Sequence, residues 1–392
     1  MKRRKRTLFS LVISCTLVGI VILVVDMCAC GGGSTQGPPP PPTQAAFVYT
    51  ANGGSDGVTA LKENVSTGAL STVSGSPFHA GDINENVPGV ITVTPSGKFL
   101  YVGSANSAQI SAFTINDTTG LLTEVVGSPF PSGPSASVRV HPSGRFLYAA
   151  NFDQGSISVF DIAPDTGALS EILGSPFGLP GLVMSLAVHT SGNFLYATYA
   201  GTDGLLGIAV FSVDPNTGAI TRLVHSRLDL QAGNLTMHPS GKSLYSARND
   251  LFLMFSSVGG TAGIWTMTVD SVTGALTLPS NQATPAVNPT EVAVDPSGKF
   301  AYASDDVQGT VGQFTIDGSS GVLTHVADVA AGDQPFSLST DAAGKFVYVA
   351  NAVSNDISVF AINASTGGLT AISGSPFSAG TTPRGLVTVS PR

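Results

Sequence analysis

Residues Pro95 to Val102 read PSGKFLYV, and the phrase returns as PSGRFLYA at Pro142, TSGNFLYA at Thr190, PSGKSLYS at Pro239, PSGKFAYA at Pro296 and AAGKFVYV at Ala342. A shortened copy, FVYT, begins at Phe47. Seven of the eight tyrosines occupy this one position: Tyr49, Tyr101, Tyr148, Tyr196, Tyr245, Tyr302 and Tyr348, spaced by 52, 47, 48, 49, 57 and 46 residues. A second mark runs in phase, TGAL at Thr67, TGLL at Thr119, TGAL at Thr166, TGAI at Thr217, TGAL at Thr273, SGVL at Ser320 and TGGL at Thr366. A third, GSPF, starts at Gly75, Gly127, Gly174 and Gly374. Two independent marks in seven copies make the chain a repeat array, so its length is not a guide to domain number.

Each unit reads as four short strands. An alternating run such as Val292-Ala293-Val294 reaches the Asp-Pro-Ser-Gly turn, and the Phe-Ala-Tyr strand follows. After a polar loop comes a run such as Ile157-Ser158-Val159-Phe160, then the Thr-Gly turn and a last run such as Leu169 to Leu173. Four strands joined by tight turns at this period make a propeller blade. The ends of the array support a closed ring: the first unit starts at its second strand, residues 47–51, and the chain ends with one more first strand, residues 386–390. A last strand that completes the first blade removes both free sheet edges. The expectation is an all-β, seven-bladed propeller of four-stranded blades over residues 46–392.

Composition agrees. Only 11% of the 392 residues are charged, with 46 Gly and 25 Pro, against about 25% charged in average globular chains. The solvated surface must therefore be Ser, Thr, Asn and Gly, which suits strands and turns and argues against a charge-rich helical protein.

The amino terminus reads as a targeting segment, residues 1–30. Five basic residues, Lys2 to Arg6, precede an apolar run from Thr7 to Val25 and then Met27-Cys28-Ala29-Cys30-Gly31. The last stretch resembles the lipobox of bacterial lipoproteins, with Cys30 as the lipidated residue; an uncleaved anchor and plain secretion are the alternatives. All three place the main domain outside the cytoplasm, tethered to a membrane in the first two. Residues 31–45 form a spacer containing five consecutive prolines, Pro38 to Pro42. The segment holds five of the 17 basic residues and one of the 25 acids, leaving 12 against 24, which speaks against a nucleic-acid partner. All three cysteines lie at or before position 30, so the domain has no disulfide, thiolate metal site or Cys nucleophile. No cofactor and no metal are expected.

A residue that recurs at one repeat position is expected to serve the repeat. His141, His189 and His238 all precede the turn and read as caps; among the histidines, only His79 could reach the channel side. Chemistry is expected where the repeat is broken on the face opposite the turns. Glu291, Asn234 and Arg384 break it at the start of a first strand, with Arg139 further along its own. Arg248, Asp305 and Asp306 break it in the loop after the tyrosine strand. The long step from Tyr245 to Tyr302 carries a surplus in residues 249–263 with Leu251-Phe252-Leu253-Met254-Phe255. Phe252 and Phe255 make this surplus a lid, a partner-binding patch or a plug, or else an extra strand on its own blade.

The units Tyr-Val-Ala-Asn at Tyr348, Ile-Ser-Val-Phe at Ile157 and Ile357, Thr-Gly-Ala-Leu and Gly-Ser-Pro-Phe make the chain resemble the seven-bladed lactonase family, which includes propeller-type 6-phosphogluconolactonases and carboxymuconate cyclases. The resemblance implies a Pro-Arg-His start to one early first strand, a Glu-Ile start to a later one followed by Ser-Asn-Arg, and Pro-Arg-Phe in the next. Glu291-Val292 matches the Glu start, but Ser304-Asp305-Asp306 follows; the other two places read Pro88-Gly89-Val90 and Pro335-Phe336. Two readings result. One is an exported, lipid-anchored propeller that binds a small molecule, glycan or protein at its channel face through residues such as Arg139, Asn234, Asp305, Phe252 and Phe255, its lactonase chemistry degraded. The other is a lactone hydrolase with Glu291 as base and Arg248 or Arg384 polarising the carbonyl.

Overall fold

Glycine sets the two turns that define each blade. In the computed structural model, which describes residues 45–54, 57–81, 90–201, 206–223, 233–249, 262–278, 283–284 and 288–390, Gly144 of a Pro-Ser-Gly turn has φ 74° and Gly167 of a Thr-Gly turn has φ 75°. This is the left-handed region, which a Cβ disfavours. The Thr-Gly turn is also capped from within: Asp214 Oδ1 accepts the Asn216 and Thr217 N–H groups, the Asx geometry that an Asp three residues ahead of the threonine provides.

The strands assemble into seven antiparallel sheets. The second strand of each blade carries the tyrosine, and its first strand is the inner one. Inner strands run Ile91–Val93 in blade 2, Ser135–Val140 in blade 3, Gly181–Val188 in blade 4, Asn234–Met237 in blade 5, Pro289–Val294 in blade 6 and Pro335–Thr340 in blade 7. Blade 1 is closed as expected: Pro383–Val389 pairs with Ala46–Asn52, Val387 opposite Tyr49. The inner strands neighbour one another all round, so the ring is complete. Among the described residues, five blades add a two-residue strand on the third strand. In four of these it is the Gly-Ser-Pro-Phe mark, whose Ser accepts a third-strand N–H, as Ser128 Oγ does from Ala112 N at 3.0 Å.

The core lies between blades. One cluster joins Tyr49 and Val58 of blade 1 to Leu100 and Phe113 of blade 2. The tyrosine is constant because it does two jobs: it is buried among these side chains, and its hydroxyl reaches the next blade. Tyr49 donates to Gly120 O at 3.0 Å, Tyr101 to Gly167 O at 2.9 Å and Tyr245 to Gly321 O at 2.8 Å. The phenylalanine two residues earlier packs on that same glycine so closely that a Cβ there would overlap the ring, as Phe99 does on Gly167.

The histidines carry a second inter-blade contact. Nε2 of His141, His189 and His238 donates to Gly192 O, Gly241 O and Gly298 O of the following blade at 2.9, 2.9 and 3.0 Å. Each Nδ1 accepts the N–H of the serine two residues on, which fixes the neutral tautomer. They cap the turn, and they also stitch the ring. His79 is exposed and pairs with Gly57 in blade 1, away from the channel wall.

Candidate functional site in the central channel

All seven inner strands contribute to a central cavity of about 370 Å³. Its wall is mostly aliphatic, including Val140, Val188, Leu235, Met237, Val294 and Leu386, and it extends to Pro142 in a Pro-Ser-Gly turn. The cavity therefore reaches toward the turn face, not only toward the loop face singled out from the sequence. Among the described residues, its wall carries two charged ones, Arg139 of blade 3 and Glu291 of blade 6.

Register explains how each is placed. Arg139 lies opposite Tyr148, at the position that reads Thr92, Ala187, Thr236, Ala293, Ser339 and Val387 in the other blades. Glu291 lies two residues before the tyrosine partner, where blades 3, 4 and 7 have Ser137, Ser185 and Ser337. Those serines link inner strands: Ser137 Oγ accepts Leu186 N at 3.3 Å, Ser185 Oγ accepts Leu235 N at 3.1 Å, and Ser337 Oγ accepts Leu386 N at 3.0 Å. Glu291 Oε2 takes the same part, accepting Leu338 N at 3.2 Å and the Ser337 hydroxyl at 2.7 Å.

The electrostatics follow from burial. Desolvation raises the Glu291 carboxyl above its ordinary range, against the opposing pull of Ser337, Arg139 and Leu338 N. Desolvation likewise lowers the Arg139 guanidinium, with Glu291 acting the other way. Arg139 Nη1 also donates to Val138 O at 2.9 Å. The structure thus brings Glu291 to Arg139, and the cation that acts on Glu291 is this one; neither Arg248 nor Arg384 is among the groups that perturb it. The register carries Arg139 into the channel wall, whereas Arg248 and Arg384, the arginines the sequence offered beside Glu291, do not line it.

Arg384 stacks its guanidinium 4.2 Å from the centre of the Phe336 ring and interacts with Asp306. The Asp306 carboxyl is raised, chiefly by burial, and accepts Asn288 Nδ2 at 2.7 Å. Asp305 caps its own turn, accepting Asn288 N at 2.9 Å and Gln308 N at 2.9 Å. Arg248 is buried at the end of its strand, three residues after its tyrosine. That repeat position holds Asn52, Asn151 and Asn351 elsewhere, and these tie the turn, as Asn151 Nδ2 does to Ser158 Oγ at 2.9 Å. Asn234 donates to Thr290 O at 2.6 Å and so joins blades 5 and 6. Phe252, Phe255 and Cys30 lie outside the described residues. Sequence reasoning missed Ser337 and Leu338 as the partners of Glu291; aligning the inner strands on their tyrosine partners would have shown the serine position. Among the described residues, no group of three or more His, Cys, Asp or Glu side chains could hold a metal ion.

The family model described as lactonase, 7-bladed beta-propeller, matches residues 43–133, 128–235 and 262–382. The chain belongs to this family. Among solved structures, a Bacteroides fragilis protein described as a candidate 6-phosphogluconolactonase is 22% identical, with a TM-score of 0.70 over 90% of this chain and 100% of that one. A Bacteroides uniformis protein of the same description is 20% identical, with a TM-score of 0.70 over 88% and 99%. The Pseudomonas aeruginosa periplasmic gluconolactonase is 17% identical, with a TM-score of 0.70 over 89% and 99%. At these identities the likeness is one of fold. Comparison with curated proteins found no match. Among the described residues, the channel wall of this lactonase-family chain carries one Arg and one Glu, the Glu bound to the neighbouring blade.

Proposed function

We propose that this lactonase-family propeller is a binding module for a small oxygenated ring compound, of the sugar-lactone or aldonate class, held in the central channel. One observation carries the reading: Glu291 Oε2 is engaged as a structural acceptor for Ser337 and Leu338 N, in the place that serine fills in other blades. A carboxylate held in that way is a poor base for water, whereas Arg139 still gives the channel wall a cationic donor suited to a carbonyl or carboxylate. A concave, largely aliphatic cavity of about 370 Å³ suits a small ring better than a protein surface. The missing Arg and His of the family pattern, at Pro88-Gly89-Val90 and Pro335-Phe336, point the same way.

The export signal and Cys30 would place the module outside the cytoplasm on a lipid tether. Cys30→Ser should then move it from the membrane fraction to the soluble one. A gluconolactonase described as periplasmic shares the fold, so the lactone class and this location are compatible.

Titration calorimetry of the purified chain with gluconate and with glucono-lactone tests the binding reading. Binding abolished by Arg139→Gln, with lactone opening no faster than in buffer, supports it; absence of binding sinks it. A second reading is favoured by the raised Glu291 carboxyl beside Arg139: hydrolysis with Glu291 as general base and Arg139 polarising the carbonyl. Lactone turnover that Glu291→Gln abolishes would establish that reading instead.

A further inference from the structure

We propose a second ligand site, for a single six-membered aromatic ring, in the seam between blades 5 and 6. Six of the seven blades place a phenylalanine two residues before the repeat tyrosine: Phe47, Phe99, Phe146, Phe194, Phe300 and Phe346. Each ring lies against the Thr-Gly glycine of the following blade. In blade 5 the residue is Ser243, whose hydroxyl packs directly on Gly321 of blade 6, so that the space its siblings fill with the outer part of a benzyl group lies beside this contact. A cavity of about 320 Å³ lies there, lined by Ser243, Val269, Ile316 and Gly321, with His238 and Lys242 among its polar residues.

The neighbouring histidine registers the loss independently. His141 meets the edge of Phe146 at 5.8 Å and His189 meets Phe194 at 5.9 Å, and both are buried, 6% and 4% exposed. His238, whose sibling phenylalanine is absent, is only partly buried and has Tyr245 as its ring neighbour at 6.3 Å. The protein therefore shows the recognition of an aromatic ring six times within its own seams and leaves the seventh seam without one. A ring entering from solvent would meet Val269 and Ile316. A hydroxyl on it would find donors and acceptors in the cavity's serines and Lys242, so the ligand class is a phenol.

The probe is 4-fluorophenol, followed by the broadening and shift of its fluorine resonance on addition of the full chain. Saturable binding is expected for the wild type and for Ser243→Ala, which keeps the void. Ser243→Phe, which installs the sibling ring, is expected to weaken binding at least about tenfold while keeping the native circular dichroism spectrum. Should Ser243→Phe fail to fold, Ser243→Leu fills the same space and must show the same loss. Arg139→Gln separates this site from the channel and should leave the fluorophenol signal in place. Wild-type chain that leaves the resonance unchanged, or filled variants that bind as the wild type does, would overturn the proposal.

Discussion

Ser337 donates its hydroxyl to Glu291 Oε2 at 2.7 Å, and the same carboxylate oxygen accepts the N–H of Leu338 at 3.2 Å. This makes Glu291 the blade 6 counterpart of the inter-blade link that serine makes in blades 3, 4 and 7, and it separates two roles that a channel carboxylate could have. If the structural role dominates, Glu291→Ser should fold with little loss. Glu291→Ala should lose about 1–3 kcal/mol by leaving a buried N–H without its acceptor. Urea unfolding of the two variants measures the difference; equal stability would show that the link contributes nothing.

The neutral His141 ring predicts an acid-side stability loss. Burial is the main cause of its lowered pKa, against the Gly192 carbonyl bond that raises it. A histidine whose folded pKa is lowered contributes stability that is present above its unfolded value, about 6.5. That contribution is lost as pH falls below that value, because the unfolded chain then binds more protons. His141→Ala should cost about 1 kcal/mol at neutral pH, and the gap to the wild type should narrow on acidification. Thermal melts across that range give the comparison, and a gap that widens toward acid contradicts it.

At the ring closure, Glu63 ends the third strand of blade 1, where the other blades have Ile115, Ile162, Val213, Val269, Ile316 and Ile362. It is 5% exposed, and burial pushes its carboxyl up, with Tyr348 and Lys345 pulling down and Asp341 adding to the rise. A carboxyl raised in the folded state contributes stability below its unfolded pKa, and this is lost as pH rises through the folded value. Glu63→Ile should therefore raise the melting temperature at about pH 8 and lose that advantage near about pH 4. A variant less stable than wild type at the higher pH would show that the Tyr348 contact outweighs the desolvation.

The tyrosine hydroxyls give a graded series. Tyr49→Phe and Tyr245→Phe remove bonds to Gly120 O and Gly321 O and should each cost about 1 kcal/mol. Tyr348 belongs to the closing seam, where its hydroxyl acts on Glu63, so Tyr348→Phe should raise the Glu63 carboxyl further. Carbon-detected titration of Glu63 in the variant reads this directly; an unchanged midpoint would show that the two side chains do not communicate.

The blade count, the order of strands and the closure at Tyr49 and Val387 were legible from the repeat. Alternation, turn glycines and the paired Tyr and Thr-Gly marks act within one blade or between successive blades. The histidine caps were legible for the same reason, though their bonds to the next blade's glycine were not. The neighbour of Glu291 was not legible: Arg248 and Arg384 stood out as unrepeated charges, but a charge's place in the repeat does not say which way its strand register turns it. Ser243 was visible in PSGKSLYS, yet a missing phenylalanine acquires meaning only once its siblings are seen packing on the following blade.

Sequence by itself determined a seven-bladed ring, because strand length, turn chemistry and inter-blade stitching are local and repeat with the chain. Tertiary structure alone decided that Arg139 and Glu291 meet in one channel and that Glu291 is tied to Ser337. Those relationships depend on how the inner strands of non-adjacent blades converge when the ring closes, and on the desolvation that closure imposes. Neither is encoded in the spacing of residues along the chain.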